Sequence, residues 1–366
     1  MIQRCLTCGL EWHHAVGTCV KCHEPLQGME PTQFRVVQST RVEVSSAAHP
    51  DVPYYCLLVA DGEGRHHLRK SRQPFAAGDL FSEDGVRAKT AVTWGVIGTG
   101  TMGTGIARAA MELGWKVIWK SRSLAALDKA KSRIRERLLR QMTPERADEL
   151  LGSSVSATTE LAPLREADIV VESVVEDLAT KKELFEELGA LCAPTTILAS
   201  NSSSLSIDAM ADGVSHSDRV VGMHFFNPVS RMRLIEVVRG PRTSEETVAR
   251  VCDLARELGK VPVVVKDSPG FVVNRVLMPY LNEAVRVVEE GTASIGDVDT
   301  AVQLGLNHPI GPLALIDLIG VDIFVNIMDA LVSRSGNRQF EVAKLARRLV
   351  EEGRLGRKTG KGFYEP

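Results

Sequence analysis

His224 and Glu236 stand twelve residues apart, in MHFFNP (223–228) and IEVVRG (235–240). A short strand-loop-strand return across that spacing would bring the carboxylate against the imidazole. Such a pair makes a general base, because the carboxylate selects the tautomer, orients the ring and favours its protonated form. Oxidation of an alcohol to a ketone sends a hydride to a nicotinamide and a proton to a base, so the pair points to dehydrogenase chemistry. One His and one Glu taken alone would more often be a buried His bonded to backbone and a surface Glu; their surroundings argue otherwise. GTGTMG at 98–103 follows the apolar run AVTWGVIG and opens a helix near Met102. In that context Gly98, Gly100 and Gly103 serve a close turn and let backbone N–H groups reach a pyrophosphate, with Thr101 and Met102 inside the same fingerprint. The next strand, WKVIWK, ends at Ser121 and Arg122, where an NAD enzyme would carry an acidic residue for the ribose 2'-hydroxyl. A hydroxyl and a guanidinium suit a 2'-phosphate better than a carboxylate does, so NADP(H) is the expected cofactor, with NAD(H) as the alternative.

A second constellation is of metal type. Cys5, Cys8, Cys19 and Cys22 are spaced C-x2-C-x10-C-x2-C. Two tight turns of this kind each offer a pair of thiolates to one tetrahedral zinc, and a closed four-thiolate site is structural, not catalytic. His13, His14 and His23 are the alternatives to one sulfur ligand. Cys56, Cys192 and Cys252 are scattered, so the cysteines do not read as a disulfide framework.

The elements that must position these residues follow from texture and punctuation. The chain has 366 residues, 44% of them hydrophobic, and a formal charge of -2. This describes an ordinary protein of several domains, without the basic stripe of a nucleic-acid binder or a membrane-facing charge block. No run approaches the roughly 20 apolar residues of a membrane helix, and MIQRCLTCGLEW lacks a signal-peptide core, so a cytosolic location is expected. From Phe34 to about Lys89, short alternating runs separated by Pro, Gly and Asp read as strands of a small closed or half-closed barrel. The polar stretch SEDGVRAKT (82–90) then precedes a regular alternation of apolar strands and helices to about Asp267, the pattern of a doubly wound parallel sheet. After DSPGF the chain reads as helical, with breaks at Pro279 and Gly311-Pro312. The expected architecture is multidomain: a zinc ribbon (1–30), an OB-like β-barrel (31–90), an α/β Rossmann domain (91–268) and an all-α C-terminal domain (269–366).

The zinc knuckles with the following β segment resemble the zinc-ribbon plus OB-fold proteins that accompany thiolases and other acyl-CoA enzymes. The match rests on the knuckles, Gly9, Pro53 and Tyr54, and departs where His13, His14 and Ala15 replace the usual prolines and arginine. It implies docking to a thiolase or another acyl-CoA enzyme. An OB-fold also serves nucleic acids, but the aromatics here read as core-directed and no nucleic-acid role is expected.

Residues 92–366 resemble the 3-hydroxyacyl-CoA dehydrogenase family, most closely its bacterial 3-hydroxybutyryl-CoA members. VVEDLATKKELF (174–185), SNSSSL (200–205), MHFFNP, IEVVRG, DSPGFVVNR (267–275), GPLALIDLIGVD (311–322) and GRKTGKGFYEP (356–366) stand in the family's order and approximate spacing. The resemblance implies that His224 and Glu236 are the catalytic dyad and that Ser203 and Asn274 hydrogen-bond the 3-oxygen of an acyl-CoA substrate. It places Glu176, Lys181, Asn201 and Asn227 along the cofactor or substrate cleft. By themselves, Ser203 reads equally as a helix N-cap and Asn274 as structural. The resemblance further implies a homodimer through the helical domain. Two other readings follow the same residues: an inactive dehydrogenase scaffold whose N-terminal module is the working part, and a β-hydroxyacid dehydrogenase acting on free acids, which would use a lysine in place of the dyad.

Overall fold

The structure is a computed structural model that describes residues 3–4, 11–12, 27–28, 34–42, 54–60, 66–71, 80–81 and 92–365. The chain divides into two compact units, Met1–Thr90 and Ala91–Pro366.

In the first unit, β1 (Gln3–Arg4) pairs antiparallel with both β2 (Glu11–Trp12) and β3 (Gln27–Gly28). A second antiparallel sheet combines β4 (Phe34–Val42), β5 (Tyr54–Ala60), β6 (His66–Ser71) and β7 (Leu80–Phe81) in the order β6-β5-β4-β7. Along β5 the alternation of the sequence becomes alternation of burial: Leu57 and Val59 are fully enclosed, while Cys56, Leu58 and Ala60 are partly exposed. Cys5, Cys8, Cys19 and Cys22 lie outside the described residues, as do the connections through which a barrel would close. The expected zinc site and barrel closure therefore fall there.

The second unit is built on an eight-stranded sheet. Its elements begin β8 (Thr93–Ile97), α1 (Thr101–Glu112), β9 (Lys116–Lys120), α2 (Leu124–Leu138), α3 (Pro144–Ser154) and β10 (Val155–Thr158). They continue with β11 (Ile169–Glu172), α4 (Leu178–Leu191), β12 (Ile197–Ser200), α5 (Ile207–Ala211) and β13 (Val220–Phe225). The sheet is completed by β14 (Leu234–Arg239), α6 (Glu245–Glu257) and β15 (Val261–Lys266). Strand order is β10-β9-β8-β11-β12-β13-β14-β15. β8 to β13 are mutually parallel, β14 runs against β13, and β15 follows β14. The sequence of these strands is near-continuously apolar because both faces are covered: every residue of β11, β12 and β13 is buried between two hydrophobic clusters. The direction of winding reverses between β8 and β11, which opens a crevice at their carboxyl ends.

Serine, threonine or aspartate side chains cap α2, α3, α4, α5 and α6. α1 is different: its N-cap is Gly100, which offers no side chain. A helix start without a side-chain cap is the kind that can present its leading N–H groups to an anion.

The helical part comprises α7 (Val273–Glu289), α8 (Ile295–Leu306), α9 (Pro312–Ile319), α10 (Val321–Ser335) and α11 (Lys344–Glu351) around its own apolar cluster. Gly311-Pro312 does start a new helix, but Pro279 is not the expected break and lies inside α7. Proline removes one backbone hydrogen bond there. The buried face of Met278, Leu281, Ala284 and Val285 keeps the helix packed through that loss. Among the described residues, no helix is long and apolar enough to cross a membrane.

Candidate active site

The antiparallel register of β13 and β14 sets His224 directly opposite Glu236. Directly opposed residues project from the same face of a sheet, and here the side chains meet: Nδ1 of His224 lies 2.8 Å from Oε2 of Glu236. Both are buried, at 6% and 1% exposure. The other carboxylate oxygen, Oε1, accepts the N–H groups of Val272 and Val273, each at 2.9 Å. These are the leading amides of α7, so the carboxylate also sits at the positive end of a helix. Burial opposes the charge most strongly as a single influence, but the hydrogen bonds from His224, Val273 and Val272 together outweigh it and hold the Glu236 carboxyl below its ordinary range. An ionised carboxylate only accepts, so Nδ1 carries the proton and Nε2 of the neutral ring keeps its lone pair. Nε2 has no protein partner among the described residues. The ring is held by Phe226 and Phe271, at centroid distances of 4.5 and 5.8 Å.

Ser203 and Asn274 are brought to the same place. Asn274 opens α7 one residue after Val273, is 8% exposed, and donates from Nδ2 to the carbonyl of Ser203 at 3.2 Å. The cap of α5 is Ser206, not Ser203, so the Ser203 hydroxyl is free of that duty. The turn carrying Ser203 is gripped by Glu176, whose Oε1 accepts the N–H groups of Ser203 (3.0 Å) and Ser204 (3.2 Å) and the hydroxyls of Ser202 (2.6 Å) and Ser204 (3.0 Å). Burial acts against the Glu176 charge; Lys181 and these serine bonds reverse the balance and keep its carboxyl below the usual range.

Lys181, expected along the cleft, is only 1% exposed, with Nζ 2.6 Å from Glu172 and 3.3 Å from Glu176. It joins the enclosed carboxylate of Glu172 to the more exposed one of Glu176. Glu172, which the sequence reading did not single out, is fully enclosed and also accepts from Ser200 Oγ and the Val174 N–H, both at 2.7 Å. Its signal in the sequence was a carboxylate closing the buried run IVVE nine residues before a helical lysine. Asn201 likewise turns inward: its Oδ1 accepts from Phe225 N (2.9 Å) and its Nδ2 donates to Ser173 Oγ (3.3 Å), tying the ends of β11, β12 and β13 together.

The crevice between β8 and β11 is a cavity of about 570 Å³ lined by Gly98, Gly100, Ser121 and Arg122, among others. Gly98 has φ +112°, and a Cβ there would lie 2.2 Å from the Ser173 carbonyl; a Cβ on Gly103 would lie 2.3 Å from the Gly98 carbonyl. Those two glycines answer to the protein's own backbone. A Cβ on Gly100 would meet nothing within 4 Å, so its missing side chain leaves open space at the start of α1. That cradle fits the pyrophosphate of a dinucleotide. Ser121 is 7% exposed, with Oγ 3.4 Å from Thr99 Oγ. Arg122 is exposed at the rim, without a protein partner among the described residues. Thr101 and Asn227 line a smaller cleft, and Met102 packs on the sheet core.

A doubly wound sheet with a dinucleotide crevice at its switch point, and a buried His-Glu pair on the strands beyond it, defines a nicotinamide-dependent oxidoreductase. Residues 93–268 match the family model described as 3-hydroxyacyl-CoA dehydrogenase, NAD binding domain, and residues 270–366 match that of the C-terminal domain. The chain belongs to the 3-hydroxyacyl-CoA dehydrogenase family. It is 44% identical over 275 residues to the 3-hydroxybutyryl-CoA dehydrogenase of Clostridioides difficile, covering 74% of this chain and 98% of that one. It is 43% identical over 281 residues to the mitochondrial hydroxyacyl-coenzyme A dehydrogenase of Sus scrofa, covering 74% and 90%. The crystal structure of (S)-3-hydroxybutyryl-CoA dehydrogenase from Ralstonia eutropha superposes with a TM-score of 0.72 at 41% identity, covering 75% of this chain and 99% of that one. Both family models begin beyond the first unit.

Proposed function

We propose that the chain interconverts (3S)-3-hydroxyacyl-CoA and 3-oxoacyl-CoA thioesters and prefers NADP(H) to NAD(H). The observation that carries this reading is the 2.8 Å contact of His224 Nδ1 with a buried carboxylate, which leaves Nε2 as the free base. The nicotinamide, when bound, supplies the hydride acceptor or donor at C3 of the substrate. In the oxidative direction Nε2 takes the hydroxyl proton as the hydride departs, and Glu236 holds the resulting imidazolium. In the reductive direction the imidazolium returns that proton to the oxygen. Ser203 Oγ and the second N–H of Asn274 donate to the same oxygen as its negative charge grows, the arrangement that lowers such a barrier.

Cofactor preference rests on Ser121 and Arg122 at the crevice rim. A charge-assisted hydrogen bond to a 2'-phosphate is worth roughly 1.5 to 3 kcal/mol, or about ten- to a hundredfold in affinity. Reduction of acetoacetyl-CoA with each cofactor tests both parts. NADPH should exceed NADH by about tenfold or more in kcat/KM, and Ser121→Asp with Arg122→Ile should reverse the order. Equal use of the two cofactors overturns the preference; reduction of free acetoacetate but not its thioester overturns the substrate.

Residues 1–30 serve, in the same reading, as a four-thiolate zinc ribbon that with the following β segment docks a thiolase or another acyl-CoA enzyme, supported by the knuckle spacing. Leu304, Leu306, Leu318 and Ile323, large apolar side chains left exposed on the helical part, support a homodimer.

A further inference from the structure

The turn that carries Ser203 is held from two sides, and each side uses a different set of backbone groups. On one side the N–H groups of Ser203 and Ser204 point to Glu176. On the other, the two carbonyls point to the helical part: that of Ser203 accepts from Asn274 Nδ2 at 3.2 Å, and that of Ser204 accepts from Arg334 Nη1 at 2.6 Å. Arg334 lies in the last turn of α10, far along the chain from the turn it binds. Its other nitrogen, Nη2, is 2.9 Å from Asp267 Oδ1 in a largely enclosed ion pair, with side-chain exposures of 19% and 3%.

Asp267 continues the connection. Its second oxygen, Oδ2, accepts from Ser206 Oγ at 2.7 Å and from the Asp208 N–H at 2.9 Å, gripping the residues that follow the serine turn. Asp267 also begins the segment that leads from the sheet into α7. α10 is pressed onto the same segment at Gly270, where a Cβ would lie 2.6 Å from Leu331. One guanidinium thus bonds both the serine turn and the carboxylate that fixes the residues after it. A planar fork does this through two nitrogens in fixed geometry, whereas an ammonium would have to serve both acceptors from one atom. Glu176 and Asn274 bond neither group of the 204–205 peptide: its N–H donates to Ser202 Oγ at 3.0 Å and its carbonyl accepts from Arg334, so without Arg334 a tilt of that peptide would shift the turn on which Ser203 stands.

We propose that Arg334 is a positioning residue for the reaction: it sets the carbonyl side of the serine turn and thereby aims Ser203 at the substrate oxygen. The inference rests on the reading of Ser203 as a donor to that oxygen. The expected effect of Arg334→Met is a fall in kcat of about tenfold to a hundredfold, the scale of one charge-assisted hydrogen bond, with the KM for the dinucleotide little changed. Arg334→Lys, which keeps the charge but not the fork, should recover only part of that loss and supplies the measurement if the Met variant does not fold.

A double-mutant cycle with Ser203→Ala, read in acetoacetyl-CoA reduction, decides the matter. If Arg334 acts through Ser203, its substitution costs little further kcat once Ser203 is Ala. If the two losses multiply in full, Arg334 is only structural and the proposal is overturned. Undiminished turnover of Ser203→Ala by itself overturns the role of Ser203, and with it the proposal; a large loss in Ser203→Ala followed by multiplicative behaviour overturns the role of Arg334 alone.

Discussion

At His224 the imidazole has two ends: Nδ1 meets Glu236, and in the proposed mechanism Nε2 takes the substrate proton. His224→Ala should therefore lower turnover by about a hundredfold to ten-thousandfold, the usual contribution of a general acid-base group. Dinucleotide binding, measured by titration, should survive, and near-normal turnover would take the dyad out of the mechanism. The depressed carboxyl of Glu236 also has a consequence for stability. A group whose folded pKa lies below its unfolded value stabilises above the unfolded value and loses that contribution as the pH falls through the folded one. The ordinary value is 4.5, so the difference in melting temperature between wild type and Glu236→Gln should be full at pH 7 and narrow below pH 4.5. A gap that does not change with pH would show that the carboxylate carries no net stabilisation. Residue type and spacing made this pair readable in the sequence, because a hairpin return between apolar strands has few registers that bury the right faces. The burial of Lys181 was not readable, although the resemblance set it along the cleft: only the two carboxylates brought from β11 and the loop beyond it explain that burial.

Among the elements, the turn from β8 into α1 separates glycines with different duties. Gly100 has an ordinary backbone conformation and faces open space. Gly100→Ala should leave the melting temperature close to wild type while raising the KM for the dinucleotide. Gly98→Ala should instead lower the melting temperature, since its Cβ would strike the Ser173 carbonyl from a left-handed conformation. Unchanged KM in Gly100→Ala would mean that no ligand approaches the backbone there. The fingerprint was legible because strand, glycine turn and helix follow one another locally in the chain. Pro279 misled for the opposite reason: local chemistry says break, while the packing of α7 against the helical core keeps the helix intact. Arg334 carried no signal at all, because its partners, Ser204 and Asp267, lie in parts of the chain that only the fold brings to it.

For the whole molecule, the two compact units have separate expectations. Metal analysis of protein prepared without chelators should find about one zinc per chain, because a four-thiolate site folds with its metal. Cys19→Ser should destabilise the first unit and leave residues 91–366 active; absence of metal would end the ribbon assignment. The succession of α/β sheet and helical part was legible from composition shifts and punctuation, whereas the ties between them were not, being made by single side chains. Glu236 is one of these ties, with one oxygen on His224 and the other on the amides that open α7. Residues 91–366 contain separate apolar clusters for the sheet and for the helices, which by themselves would allow the two to melt in steps. A carboxylate shared between them loses its two α7 amides when the helical part melts and keeps only His224, so the two should melt together. Calorimetry of residues 91–366 should then show one cooperative transition, and a broader one in Glu236→Ala, where the ties through Asn274 and Arg334 remain: the carboxylate proposed to hold the imidazolium also couples the melting of sheet and helices.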